Sequence, residues 1–273
     1  MNTVNVDKIC IGTGHPLTLI AGPCVIESES LTLRIAEEIR QIVEPLKVPY
    51  IFKASYEKDN RSSQEHYRGP GLDAGLRILE NVKKKIGVPV LSDVHRQTDV
   101  AAAASVLDVL QVPAFLCQQT SLLLAMGSSG KPLNVKKGQF LAPQAMKGVI
   151  GKIRSTGNSS ILLTERGTTF GYDRLVCDMC SIPLMQSLGC PVVFDATHSV
   201  RRYGVPSSSP DGGTPEFIET LARAAVASGC DAVFLETHPE PMTGLCDASS
   251  MLPLKQLSSL WKVLLVLSET VRQ

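Results

Sequence analysis

Short runs of apolar, largely β-branched residues recur along the chain and predict eight β-strands. The runs lie at residues 17–21, 49–52, 88–91, 106–110, 132–135, 160–163, 191–194 and 232–235. They lack the polar alternation of a strand that faces water on one side, and this is typical of parallel strands buried on both faces. We therefore predict a parallel sheet that is covered on both sides.

Segments with helical periodicity separate these runs. They cover residues 31–46, 72–85, 97–104, 121–126, 145–155, 179–188, 215–228 and 254–271. Strands that alternate with helices run parallel through right-handed crossovers, and eight such units close a (β/α)₈ TIM barrel. The alternative is an open doubly wound sheet, which normally has fewer strands, and no Gly-x-Gly-x-x-Gly motif follows the first run. The pattern favours the barrel.

The chain shows no linker or composition break, so we expect residues 1–273 to form a single α/β barrel domain. Residues 1–16 form an N-terminal extension before the first strand. This extension contains a Gly-Thr-Gly turn at residues 12–14, and we predict a short hairpin that closes the bottom of the barrel.

Composition narrows the class of partner. With 44% hydrophobic residues, 19% charged residues and a net charge of +1, neither disorder nor a nucleic-acid or anionic membrane surface is indicated. Eight cysteines in 273 residues are too few for a disulfide framework and fit a reducing compartment. Because the N-terminus lacks a secretory pattern, we expect a cytoplasmic protein that acts on small molecules.

Polar or ionisable residues follow every predicted strand. In a barrel of this kind the chemistry lies in the loops after the strands. The cations among them are Lys53, Lys58, Arg61, Lys136 and Arg166. Such cations would repel one another unless a multiply charged anion neutralised them, so the pattern predicts a phosphorylated substrate in a wet cleft.

A second set at the strand ends comprises Cys24, His198, Glu236 and Asp247. One thiolate, one imidazole and two carboxylates suit a borderline divalent ion such as Zn²⁺, Fe²⁺, Mn²⁺ or Co²⁺. From spacing alone, a buried thiol and a core histidine explain Cys24 and His198 at least as well.

Five segments carry a family resemblance: residues 21–28, 52–63, 134–140, 165–172 and 195–199. With them the chain resembles the 3-deoxy-D-manno-octulosonate-8-phosphate synthase family, and the Asn60-Arg61-Ser62-Ser63 motif is very specific. The resemblance implies a homotetramer of barrels that condenses phosphoenolpyruvate with arabinose 5-phosphate and water. This reaction belongs to lipopolysaccharide KDO biosynthesis and is of the transferase type.

The resemblance also implies roles for individual residues. The phosphoenolpyruvate site would comprise Lys53, Lys58, Gln111, Ala114, Lys136, Gln139 and Arg166. The pentose-phosphate site would comprise Asn60, Arg61 and Ser62, with Arg61 and Ser62 reaching the 5-phosphate across a subunit boundary. Asp93 would lie near the reacting centre, and Lys58 is the candidate for proton transfer.

The family has a metal-dependent and a metal-independent branch. Metal-independent members carry Asn at the position of Cys24 and Gly-Pro-Ser after the aspartate, where this chain has Ala248-Ser249-Ser250 after Asp247. The resemblance therefore implies that Cys24, His198, Glu236 and Asp247 bind a divalent metal, with Cys24, His198 and Asp247 serving catalysis through it.

The chain departs from the family in two places. Gln118 and Ser121 stand where many relatives have Arg and Asp, which leaves the roles of these two positions open. Arg201, Arg202 and Tyr203 follow where relatives tend to be uncharged, so we expect the loop after the seventh strand to contact substrate phosphates differently.

Two rival functions remain at this point. The first is 3-deoxy-D-arabino-heptulosonate-7-phosphate synthase, which uses erythrose 4-phosphate. Its relatives carry a Lys-Pro-Arg-Thr segment in place of residues 58–63. The second is an inactive barrel that binds a metal or an anion.

Overall fold

The computed structural model describes residues 3–61, 63–171 and 173–271. Its strands are β1 (Val4–Val6), β2 (Ile9–Ile11), β3 (Thr18–Gly22), β4 (Tyr50–Lys53), β5 (Val90–Asp93), β6 (Val109–Val112), β7 (Leu133–Lys136), β8 (Ile161–Glu165), β9 (Thr168–Thr169), β10 (Leu175–Val176), β11 (Val192–Asp195), β12 (Ala232–His238) and β13 (Leu252–Pro253). The helices are α1 (Glu29–Val43), α2 (Leu72–Ile86), α3 (Val100–Val106), α4 (Thr120–Ser128), α5 (Met146–Arg154), α6 (Ser181–Gln186), α7 (Ile218–Ala227) and α8 (Leu257–Val271).

Eight parallel strands close on themselves, which confirms the predicted (β/α)₈ barrel. The strands β3 to β8 pair in chain order, β8 pairs with β11, β11 with β12, and β12 with β3. These are the eight strands that the apolar runs predict, in the same order. The short β9 and β10 form a separate antiparallel pair in the loop after β8.

The helices bury one face each against the outside of the barrel. In α1, Ile35, Ile39 and Val43 are buried at helical spacing, and the hydroxyl of Ser28 caps the helix by accepting from the Leu31 amide at 3.2 Å. The other predicted helices also form, although several begin or end in a 3₁₀ turn. None of the helices within the described ranges is long and apolar enough to cross a membrane.

The N-terminal hairpin closes one end of the barrel, as predicted. Val4, Val6 and Ile11 pack in one cluster with side chains that fill the barrel interior, among them Ile20 and Phe234. The hairpin turns at residues 7–8, where Asp7 has a φ of 50°, and not at the predicted glycine turn, which instead leads towards β3. Because this end is filled, the carboxyl ends of the strands remain as the place for a site.

Candidate active site

A cavity of about 420 Å³ opens at the carboxyl ends of the barrel strands. Most of the residues that the sequence predicts for the site line it: Lys58, Asn60, Arg61, Asp93, Gln111, Ala114, Lys136, Gln139, Arg166, His198 and Asp247. These residues come from seven different strands or the loops after them, so the barrel brings together side chains that are far apart in the chain.

Three of the predicted residues do not line the cavity. Cys24, Lys53 and Glu236 are almost completely buried, and they contact residues that line it. Ser62 lies outside the described residues. The Lys53 ammonium donates to the backbone oxygen of Cys24 at 2.9 Å and to Glu236 at 2.5 Å. Lys53 is thus engaged by the protein itself.

The strand-end lysines are neutralised by carboxylates of the same barrel, and the expectation that they would need a bound anion for this was wrong. The pairs are Lys53 with Glu236 (2.5 Å), Lys58 with Asp93 (3.0 Å) and Lys136 with Asp195. All six side chains are buried, where an unpaired charge would be costly. The sequence shows the charges at each strand end but not which strands place opposite charges in contact.

Unlike these lysines, Arg61 and Arg166 do not pair with a carboxylate among the described residues. Arg61 donates to the Cys246 sulfur at 2.7 Å, and Arg166 donates to the hydroxyl of Tyr203. These two guanidinium groups line the cavity without an ion-pair partner among the described residues, as a site for two anionic groups requires.

The four predicted metal ligands lie in two groups of possible ligands that share Asp247: Cys24 belongs to one group, and His198 and Glu236 belong to the other. The His198 Nε2 atom lies 3.6 Å from Asp247 Oδ2 and 3.7 Å from Glu236 Oε1, and the Cys24 sulfur lies 3.4 Å from Asp247 Oδ2. Metal bonds of about 2.0–2.3 Å place tetrahedral ligand atoms about 3.3–3.8 Å apart, so these separations fit a bound divalent ion. The buried Glu236 Oε2 has no hydrogen-bond partner within the described part of the chain, so it is available to bind a metal ion.

Cys246 is a site residue that the sequence reasoning missed. Its sulfur lies 2.7 Å from the Cys24 sulfur, and it forms a group of possible ligands with Cys24 and Asp247. Its position directly before Asp247 was the available signal. Cys246 therefore links the candidate metal ligands to Arg61 at the cavity rim.

Asp195 was also missed, although it lies in a motif that carries the resemblance. It is fully buried at the end of β11 and contacts both Lys136 and His198, whose Nδ1 atom lies 2.7 Å away. A carboxylate behind an imidazole fixes the orientation of the ring, so Asp195 orients one candidate ligand and one candidate substrate-binding group.

Burial and neighbouring charges set the protonation states. Burial lowers the pKa of Lys136 to about 8, against the opposing effect of Asp195. Burial also disfavours the charged Lys58, but Asp93 and the other negative groups around it outweigh this and raise its pKa well above the usual value. For Cys24, burial raises the pKa of the thiol. Lys58 is therefore an ammonium at neutral pH.

The loop after β11 forms one wall of the cavity with Arg201, Tyr203 and Ser207. The Arg201 Nε atom lies 3.6 Å from Asp247 Oδ1. The charged stretch after His198 thus reaches one of the candidate metal ligands. The contact of Tyr203 with Arg166 was not predicted.

Comparison with known proteins gives one consistent result. The profile of the DAHP synthetase I family matches residues 2–273. A relative from Trichlorobacter lovleyi is 55% identical over 269 residues, and one from Citrifermentans bemidjiense is 54% identical over 270 residues, covering at least 98% of each chain. One from Geobacter metallireducens is 54% identical over 269 residues, or 98% of each chain. All three are named 2-dehydro-3-deoxyphosphooctonate aldolase.

Proposed function

Because this chain belongs to the DAHP synthetase I family, we propose that it condenses phosphoenolpyruvate with D-arabinose 5-phosphate and water. The products are 3-deoxy-D-manno-octulosonate 8-phosphate and inorganic phosphate. The observation that carries this proposal is the identity of 51–55% to full-length relatives that share the name of that aldolase. The same names disfavour the heptulosonate-forming rival.

We assign the inner part of the cavity to phosphoenolpyruvate. Arg166 and Lys136 are cationic and buried there, and Gln111, Gln139 and Ala114 complete the lining. Arg166 is the natural partner for a phosphate or carboxylate, because a guanidinium binds both in a bidentate way and this one has no carboxylate partner among the described residues.

We assign the outer part to arabinose 5-phosphate. Asn60 and Arg61 line the cavity on the loop after β4, and Ser62 follows them in the sequence. The unpaired guanidinium of Arg61 would bind the 5-phosphate. The resemblance places this contact across a subunit boundary, so the proposal includes a homotetramer.

Lys58 would supply the proton that the condensation needs. The C3 carbon of phosphoenolpyruvate attacks the aldehyde, water adds to C2, and the tetrahedral intermediate loses phosphate by cleavage of its C–O bond. Lys58 would donate to the oxygen that becomes negative when the aldehyde is attacked. Asp93 accepts from Lys58 at 3.0 Å and from Ser55 at 2.7 Å, and so holds the ammonium in place.

We further propose that Cys24, His198, Glu236 and Asp247 hold a divalent metal ion, of which Zn²⁺, Fe²⁺, Mn²⁺ and Co²⁺ fit the donor set. When bound, the ion supplies Lewis-acid stabilisation of negative charge beside the substrates. Lys53 would hold Glu236 in position through its 2.5 Å contact, and would not touch substrate. Asp195 would orient His198.

Two further statements complete the proposal. We place the protein in the cytoplasm, because its eight cysteines are free thiols and a reducing compartment preserves them. We also propose that residues 1–273 form one domain, since the N-terminal hairpin shares the core of the barrel interior.

Phosphate release measured with each aldose tests the proposed reaction. The purified protein, loaded with a divalent ion, should release phosphate from phosphoenolpyruvate faster with arabinose 5-phosphate than with erythrose 4-phosphate. Faster turnover of the four-carbon sugar would contradict the assignment. Full metal loading with no phosphate release from either sugar would favour an inactive binding barrel.

A further inference from the structure

Tyr203 lies in the cavity wall, on the loop after β11, and its hydroxyl touches two residues of the phosphoenolpyruvate site. Gln139 donates to this oxygen through Nε2 at 2.5 Å, and Arg166 donates through Nη1. Both donors are buried, and the Arg166 guanidinium lies 5.9 Å from the centre of the Tyr203 ring. The phenol therefore stands at the one guanidinium that faces the inner cavity without a carboxylate partner among the described residues.

The main chain holds Tyr203 in this place. Its amide donates to the backbone oxygen of Asp173 at 2.8 Å, and the neighbouring Arg202 donates to the Asp173 carboxylate at 2.9 and 3.1 Å. On the other side, the Arg202 amide donates to the Gly212 oxygen at 2.9 Å. The loop is thus fixed between the segment before β10 and the glycines before α7, so Tyr203 is positioned before any ligand arrives.

A phenol oxygen has two lone pairs and one proton. Gln139 and Arg166 donate into its lone pairs, so the hydroxyl proton is left for another acceptor. The acceptor that the cationic inner cavity would hold is an oxygen of an anion. We propose that Tyr203 binds phosphoenolpyruvate, donating its hydroxyl proton to an anionic oxygen of that substrate while it orients Arg166.

This inference rests on the proposed function and goes beyond the resemblance. The motifs that carry the resemblance end at residue 199, and Tyr203 lies outside them. Tyr203 directly follows Arg201 and Arg202, and it would add a hydrogen-bond donor to the phosphoenolpyruvate site.

Tyr203→Phe tests the inference, because it removes the hydroxyl and keeps the ring. A hydrogen bond to a charged group is worth about 1.5–3 kcal/mol, which corresponds to about a ten- to hundredfold loss of affinity. We expect the KM for phosphoenolpyruvate, and its Kd from calorimetric titration, to rise by about this factor. The KM for arabinose 5-phosphate should change less than about twofold.

Tyr50→Phe is the matched control. The Tyr50 hydroxyl is also buried and donates to the Ala21 backbone oxygen at 3.4 Å, but Tyr50 does not line the cavity. This variant should lower the Tm without a selective change in the affinity for phosphoenolpyruvate. If Tyr203→Phe behaves like the control, Tyr203 is structural and the inference is wrong.

The failure of this inference and the failure of the proposed function give different results. An inactive wild-type protein that does not bind phosphoenolpyruvate would contradict the function itself. An active wild-type protein whose Tyr203→Phe variant keeps the same KM and Kd for phosphoenolpyruvate would contradict the inference alone.

Discussion

At the scale of single residues, Lys136 shows how the barrel interior sets the charge of a binding group. Its ammonium contacts Asp195 and lies 3.4 Å from the centre of the Phe234 ring. Burial nevertheless lowers its pKa to about 8, because the loss of hydration outweighs these favourable contacts. Lys136 is therefore charged at neutral pH, but its pKa lies only slightly above that pH.

Because the pKa of Lys136 is close to neutral, we expect the activity to depend on pH. Lys136 loses its proton as the pH rises through about 8, and a neutral amine holds an anion poorly. We expect kcat/KM for phosphoenolpyruvate to fall above that pH, since this parameter reports the groups of the free enzyme. Lys136→Arg should keep its charge and flatten this arm of the profile.

The fall should occur without unfolding. The pKa of Lys136 is lower in the folded than in the unfolded chain, so the unfolded chain binds more protons between pH 8 and 10.5 and this group favours folding as the pH rises there. A thermal unfolding curve at each pH separates the two effects. Activity that stays constant up to pH 10 in wild-type protein would contradict the assignment of Lys136.

Arg61 gives a second prediction at this scale. Arg61→Ala removes the cation proposed to bind the 5-phosphate, so the KM for arabinose 5-phosphate should rise by about tenfold or more while that for phosphoenolpyruvate changes little. The control is Arg34→Ala, because Arg34 lies on the exposed face of α1, where it pairs with Glu38 of the same helix. An unaltered half-saturation concentration for the pentose phosphate would count against Arg61.

Sequence reasoning reached the individual site residues unevenly. Residues inside a recognisable motif, such as Arg166 and His198, could be proposed because their neighbours in the chain identify them. Cys246 and Tyr203 could not, because their contacts with Cys24 and Arg166 depend on how distant loops meet. A role for such residues is a property of packing and not of spacing.

At the scale of elements, the predicted strands end too early, and the reason is chemical. The apolar runs stop before Lys53, Asp93, Lys136 and Asp195, yet each of these is the last residue of its strand and is buried. A buried strand that is predicted from a run of apolar residues ends where the first charged residue occurs. Here opposite charges from different strands neutralise each other inside the barrel, so the strands extend into the site.

Helix α2 allows a test of packing against helix propensity. A Cβ atom added at Gly75 would lie 2.3 Å from the Tyr56 Cβ, whereas one added at Gly151 in α5 would meet no atom within 4 Å. Gly75→Ala should destabilise the protein by about 1–3 kcal/mol despite the better helix propensity of alanine. Gly151→Ala should stabilise it by about 0.5–1 kcal/mol.

Denaturant unfolding of both variants measures this difference. Opposite signs are expected from the same chemical change in two helices of one barrel. If Gly75→Ala were as stable as wild-type protein, the close approach of α2 to the segment after β4 would be wrong. That segment carries Lys58, so activity should fall together with stability in this variant.

At the scale of the whole molecule, the barrel could be predicted because the strand–helix pattern repeats along the chain. One strand–helix unit is ambiguous, but eight in succession leave few arrangements, and the ring of pairings confirms the result. The reaction could be proposed from the resemblance, and the cavity was expected at the right end of the barrel. The compensation of charge between strands could not be predicted, because it requires the closed ring.

Metal removal acts on the whole molecule. A chelator should abolish activity and lower the Tm, because the proposed ion would be held by Glu236 of β12 and by residues in the loops after β3, β11 and β12, and would bind the folded state alone. At a free ion concentration a hundred times its Kd, the stabilisation is about 2.7 kcal/mol. For a chain of this size that corresponds to a shift of about 5–10 °C.

Cys24→Ser is the variant that localises this effect, since it removes the soft ligand and should reduce the metal content found by elemental analysis. Cys190→Ser is its control, because Cys190 is buried outside the cavity. Full activity and an unchanged Tm after rigorous chelation would contradict the ligand set.

Because the hairpin fills the bottom of the barrel, both reactants would enter at the carboxyl ends of the strands. If the compound bound by Arg166 and Lys136 sits innermost and the one bound by Arg61 sits nearer the rim, the sugar blocks the passage behind its co-substrate. Binding then has a fixed order: phosphoenolpyruvate binds before the sugar, and the eight-carbon product leaves before the next phosphoenolpyruvate can bind.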